Sequence, residues 1–194
     1  SKDFDIKKFK YEINLNIANK SILRRYNEFY IDKKKDNQII IDKSLENFLN
    51  IETIINIFPT AKFIHTFRNP LDSIISIYQS MLAELSWAHS IEDILTYMDK
   101  YINILDYYKS KYPNVIMDVD LKEFTKNSNQ ISKDIYKFCG LNWNNDVLKF
   151  YKRNNLHSKT LSFAQIRNKV SKYDISKYKP YFNILEKYKN KFKW

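Results

Sequence analysis

The residues best placed to do chemistry lie where a guanidinium is followed at once by the start of a helix. Arg68 closes a short apolar and β-branched run, residues 62–67, and leads into Asn69, Pro70, Ser73 and Ser76. Asn69 is an N-cap type and Pro70 suits the first helical position. The free N–H groups of such a helix start and the fork of an arginine converge on one place, which makes an anion site with phosphate as its natural guest. The plainer alternative is that Arg68 pairs with an acidic neighbour and that both serines are ordinary helix residues. Asp42 and Lys43 form a second candidate pair, just after the run at 38–41.

These residues need elements to hold them. Three strands are expected, at residues 38–41, 62–67 and 114–119, each followed by a helical pattern. The first helix covers 45–58 and is closed by Pro59. In the second, Leu71, Ile74, Ile75, Tyr78, Met81, Leu82 and Leu85 recur at the spacing that buries one stripe. A third carries Ile91, Ile94, Leu95, Met98, Ile102 and Leu105 inward, with Ser90 and Asp93 resembling a capping box. Ile131, Ile135 and Phe138 mark a fourth, which Gly140 can end in a left-handed cap. Residues 154–176 read as a long polar loop, and Pro180 opens a last helix with Tyr181, Ile184, Leu185, Tyr188 and Phe192 on one face. Alternating strands and helices predict an α/β fold with a parallel sheet, whose ligands gather at the carboxyl ends of the strands.

Composition bounds what such a site can be. The 194 residues suffice for one domain, and a 44% apolar content supplies its core. Gly140 is the single glycine, so no Gly-rich phosphate cradle can be built from these residues, and a self-sufficient NTPase or dehydrogenase is excluded. The 33 Lys and Arg against 22 Asp and Glu give a net charge of +11, suited to nucleic acid, anionic lipid or a phosphorylated small molecule. Most of that charge is lysine amid asparagine and isoleucine, a bias an AT-rich genome also produces. The single Cys139 excludes an intrachain disulfide and a Cys-rich zinc site. The expectation is a soluble chain without a membrane span, in a reducing, cytoplasmic and bacterial setting. Ser1 in place of a methionine suggests a processed chain or a fragment.

Residues 58–78 carry a resemblance. Phe58-Pro59-Thr60-Ala61-Lys62, followed by Phe67-Arg68-Asn69-Pro70 and by Ser76, is similar to the 3′-phosphate-binding region of PAPS-dependent sulfotransferases. The similarity is nearest to the group of tyrosylprotein and bacterial tetratricopeptide-linked enzymes. It implies that Arg68 and Ser76, eight residues apart, hold the nucleotide 3′-phosphate. Lys43, 25 residues before Arg68, takes the place of a catalytic lysine. Phe138-Cys139-Gly140-Leu141-Asn142-Trp143 resembles the family's Phe-x-Gly-Leu-x-Trp stretch. Ser162-Phe163-Ala164-Gln165-Ile166 resembles a Ser-x-x-Gln-Val element whose serine assists catalysis, and Lys177 matches a nucleotide-contacting lysine.

The chain also departs from that pattern. Tyr178 stands where a tryptophan usually follows the last lysine, and Leu121-Lys122-Glu123-Phe124 replaces Tyr-Glu-Asp-Leu. Nothing before Asp42 resembles the first strand, its Pro-Arg-Ser-Gly-Thr-Thr loop for the 5′-phosphosulfate, or the glutamate base. The resemblance therefore implies the C-terminal portion of a three-layer, P-loop-like sulfotransferase domain without its N-terminal strand and phosphate loop. Within one domain over 1–194, residues 1–35 are a helical connector, 36–120 the core, and 121–194 the C-terminal helices and nucleotide-covering loop. PAPS is the implied donor, adenosine 3′,5′-bisphosphate the product, and a hydroxyl of a peptide tyrosine, carbohydrate or small molecule the acceptor, with no metal and no nucleic acid. The isolated segment is expected to be inactive or nearly so. A basic nucleic-acid-binding or non-catalytic interaction module is the alternative. Simpler roles are a solvated surface position for Lys43, a loop hydroxyl for Ser162, a packed core histidine for His65 and a buried apolar role for Cys139. Asp72 reads equally as a helix-start acid or a site residue.

Overall fold

Asn69 and Ser90 begin helices as their types dictate. A computed structural model of the chain describes residues 39–153 and 167–190. The Asn69 side chain accepts from Leu71 N at 2.9 Å, and with Pro70 in the first turn it starts α2, Pro70–Ser80; α1 is Ile51–Ile57. Ser90 Oγ accepts from Asp93 N at 3.4 Å at the start of α3, Ile91–Lys111. Two strands, β1 Phe63–Phe67 and β2 Ile116–Asp120, pair in parallel with His65 opposite Asp118 and Phe67 opposite Asp120. The described residues thus form a mixed α/β structure around a small parallel sheet, as alternating strands and helices predict.

After β2 come α4, Leu121–Lys126, and α5, Ser128–Phe138. The end of α5 is set by Gly140 at φ 68: Gly140 N donates to Lys137 O at 3.1 Å and Leu141 N to Tyr136 O at 2.8 Å. This paired closure of a helix needs a left-handed residue, and glycine takes it without strain. A 3-10 segment, Asn145–Lys152, follows, and another, Lys179–Tyr188, closes the described chain.

By contacts the chain divides into two compact units, Ser1–Ala61 and Lys62–Trp194. In the second, Ile74 and Ile75 of α2 meet Ile91, Ile94 and Leu95 of α3, with Tyr178, Leu185 and Tyr188 completing the core. Removing Ile74 or Ile94 from water contributes about 1.5–3 kcal/mol each, the driving force that holds α2 against α3. The sheet and α2 share the junction at residues 68–69, so this core also fixes the strand end on which Arg68 sits.

Four expectations need correction. Of the strand expected at 38–41, the described residues Ile39, Ile40 and Ile41 are irregular and exposed, Ile41 by 87%. A β-branched run becomes a strand only when an edge pairs with it, and none does among the described residues. The parallel sheet there accordingly has two strands. Helix α2 stops at Ser80 rather than running to Leu85, because Met81 adopts φ 45, and Tyr78 and Met81 are exposed. Asn114, at φ 71, belongs to the turn before β2, so the strand starts two residues late. In the last helix the 3-10 pitch of three residues per turn aligns Phe182, Leu185 and Tyr188 inward and leaves Tyr181 and Ile184 exposed.

Candidate functional site

Strand β1 delivers Arg68 to the point where α2 begins. Its Nε donates to Ser73 Oγ at 3.3 Å, and Ser73 in turn donates to Asn69 O at 3.3 Å. Among the described residues neither Arg68 nor Lys177 forms an ion pair with a carboxylate. The plain alternative of a local Arg68 salt bridge is thereby set aside; neutral hydroxyls position the guanidinium.

Tyr178 gathers the remaining candidates. Its hydroxyl donates to Ser76 Oγ at 3.1 Å, Arg68 Cζ lies 5.5 Å from its ring centre, and Lys177 Nζ lies 5.0 Å from it. The ring is buried in the core, while its oxygen belongs to the cation-lined end of the sheet. Burial works to raise the Tyr178 phenol, but hydrogen bonds with Ser76 and Lys177 and the charges of Lys177 and Arg68 outweigh it and hold the group below its ordinary value. Lys177 itself follows a turn in which Asp174 Oδ1 accepts from Ser176 N at 2.9 Å and from Ser176 Oγ at 2.6 Å.

Arg68, Ser76 and Lys177 therefore lie around one aromatic ring, although Lys177 is about a hundred residues from the other two in sequence. A guanidinium, an ammonium and a hydroxyl together can hold a phosphate dianion through charge-assisted hydrogen bonds. Lys43 lies in the first unit, exposed in an irregular stretch beside Ser44, whose Oγ donates to Asp42 Oδ1 at 2.7 Å. Ser162, like Phe163, Ala164 and Gln165, lies outside the described residues.

Two residues gain a place that spacing alone did not assign. Asp72, only 2% exposed, accepts through Oδ2 from the Tyr173 hydroxyl. Tyr173 N donates to Thr125 Oγ1 at 3.0 Å, tying the same segment to α4. The signal was partial: Asp72 and Ser76 stand four apart, on one helix face, while Tyr173 had no mark beyond its hydroxyl-rich surroundings.

Comparison with known proteins decides among the phosphate-binding readings. A model of the sulfotransferase family matches residues 5–145. The chain belongs to the sulfotransferase family. That match includes Lys43, Arg68 and Ser76 and stops short of Ser162 and Lys177. The chain is also similar to an uncharacterized protein of Aquifex aeolicus (strain VF5), with 28% identity over 172 residues, 84% of this chain and 22% of the relative. The chain thus spans under a quarter of that relative's length. Nothing in either comparison favours the nucleic-acid-binding alternative. Among the described residues no helix is long and apolar enough to cross a membrane.

Proposed function

We propose that this chain carries the nucleotide 3′-phosphate half of a PAPS-dependent sulfotransferase site, nearest in type to the tyrosylprotein and tetratricopeptide-linked group. The observation that carries the reading is the meeting of Arg68, Ser76 and Lys177 around Tyr178 at the junction of β1 and α2. The residues fit a dianion: two cations without carboxylate partners among the described residues, and the Ser76 hydroxyl beside them. We read the chain as part of a three-layer α/β sulfotransferase domain, in a cytoplasmic and bacterial setting.

Bound PAPS would supply the sulfuryl group, which passes to an acceptor hydroxyl while negative charge grows on the departing phosphate. In such a transfer positioning and preorganised positive charge do most of the work. Arg68, Ser76 and Lys177 hold the 3′-phosphate and so fix the nucleotide. Lys43 is assigned to the developing charge at the leaving oxygen and Ser162 to a supporting hydrogen bond. The string Pro-Arg-Ser-Gly-Thr-Thr does not occur in these 194 residues. We read the loop for the 5′-phosphosulfate and the glutamate base as lying beyond them, and expect the chain alone to bind nucleotide but to transfer little or no sulfate.

Titration calorimetry of the chain with adenosine 3′,5′-bisphosphate tests the reading. Saturable one-site binding, abolished by Arg68→Ala, is expected; wild-type binding that Arg68→Ala leaves unchanged overturns it.

A further inference from the structure

Two phenols reach α2 from one irregular segment. Tyr173 donates to Asp72 Oδ2, and five residues later Tyr178 donates to Ser76 Oγ at 3.1 Å. Asp72 and Ser76 are one helical turn apart, so both bonds fall on the same face of α2 and fix the segment at two points. Between those points lies Lys177, and beside them lies Arg68, whose Cζ sits 5.5 Å from the centre of the Tyr178 ring.

Asp72 is costly to keep. Its side chain is almost wholly buried, and Oδ1 has no hydrogen-bonding partner among the described residues. A buried carboxylate with one unmade bond costs more than an apolar side chain of similar size would. What it provides is an acceptor for Tyr173. Burial first, and then the bond and charge of Asp72, push the Tyr173 phenol up to about 12 against the opposing pull of Arg68, so it stays a donor at any physiological pH. The hydroxyl is therefore committed to Asp72.

We propose that Asp72 and Tyr173 are positioning residues: the pair bolts the segment 173–178 to α2 and so holds Lys177 and Tyr178 in register with Arg68 for the nucleotide's 3′-phosphate. The proposal rests on the phosphate site described above and acts through it, since neither residue of the pair need touch the ligand. Asn at position 72 keeps an acceptor for the phenol, whereas Ala removes it.

The test is a double-mutant cycle on the whole chain, with adenosine 3′,5′-bisphosphate as the probe and thermal unfolding measured in parallel. Tyr173→Phe is expected to weaken binding about 10-fold, the scale of one well-placed hydrogen bond to a charged partner. In a Lys177→Ala background the same change is expected to cost less than about 2-fold, because the group it positions is gone. Asp72→Asn should retain most of the affinity that Asp72→Ala loses. A Tyr173→Phe chain that binds as tightly as wild type, or one that loses the same 10-fold with and without Lys177, overturns the proposal. So does a fall in affinity that tracks only a fall in Tm across all variants. Wild-type chain that ignores the bisphosphate sinks the underlying phosphate site and this pair together, whereas loss with Arg68→Ala but not with Tyr173→Phe sinks the pair alone.

Discussion

Strand β1 holds two polar clusters three residues apart, and they are built on opposite principles. In mid-strand His65 faces Asp118 across the register, with Nδ1 2.6 Å from Asp118 Oδ1, and Lys109 of α3 adds a 2.8 Å ion pair to the same oxygen. His65 Nε2 meets the Tyr101 hydroxyl. The carboxylate can only accept, so Nδ1 donates to it; a neutral ring then accepts at Nε2 from Tyr101, whose phenol burial and the Asp118 charge push up to about 12. At the strand end Arg68 is held by hydroxyls and an aromatic face, and no carboxylate among the described residues pairs with it. A cluster that satisfies its own charges makes structure, tying α3 to the sheet. One that positions cations with neutral groups keeps their charge for a ligand.

That contrast can be broken most directly at Arg68. Arg68→Ala should weaken adenosine 3′,5′-bisphosphate by at least about 100-fold, because a charge-assisted contact to a dianion is removed, yet leave Tm within a few degrees. If calorimetry instead finds a large fall in Tm with binding intact, the two clusters do not differ as described. The converse change is Asp118→Ala, which leaves the partly buried His65 donor and Lys109 unpaired. It should cost about 1–2 kcal/mol in urea unfolding, near the low end because the Asp118 side chain is half exposed, with nucleotide affinity unchanged.

A smaller effect separates the clusters by pH. Burial, and to a lesser degree Lys109, hold His65 below its ordinary value against the pull of Asp118, so the unfolded chain takes up that proton first as pH falls. Asp118 is held low in the fold, where bonds from Lys109 and His65 outweigh its burial, and its contribution disappears only at more acid pH. Both signs point the same way: stability is full above the ordinary histidine range and declines from about pH 6.5 downward. The slope of Tm between pH 7 and pH 5 should flatten in His65→Gln, and an unchanged slope would remove His65 from the account. Smallest of all, Ser76→Ala should weaken the bisphosphate about 5-fold, the loss of one neutral hydroxyl in a charged site.

How much of this could be read in the sequence depended on how far apart the partners lie. The caps at Asn69, Ser90 and Gly140 were legible because each works within a few residues of itself, and α3 because its apolar stripe is long. Arg68 could be nominated as an anion ligand from its position at a helix start, and the structure does place it there. Lys177 could be nominated only through the family resemblance, since no local pattern links it to Arg68. Asp72 and Tyr173, 101 residues apart, meet solely because the core brings the last segment onto α2. Ile39 to Ile41 misled for the converse reason: their types favour a strand, but a strand is a property of two edges and not of one run. His65 was expected as a packed core residue; it is instead partly buried beside the sheet, and its hydrogen bonds to Asp118 and Tyr101 depend on register and helix placement that periodicity does not specify.

The pairing of His65 with Asp118 spans 53 residues, with two helices threaded between the strands. During synthesis β1 would wait roughly 3–10 s for its partner to be made, at ordinary elongation rates. For that interval an edge ending in Phe67 stands open, while α2 and α3 can already coil and close on each other, since local contacts form fastest. Ribosome-associated chaperones would meet this nascent chain at β1, and slowing translation between codons 68 and 115 should lengthen their stay.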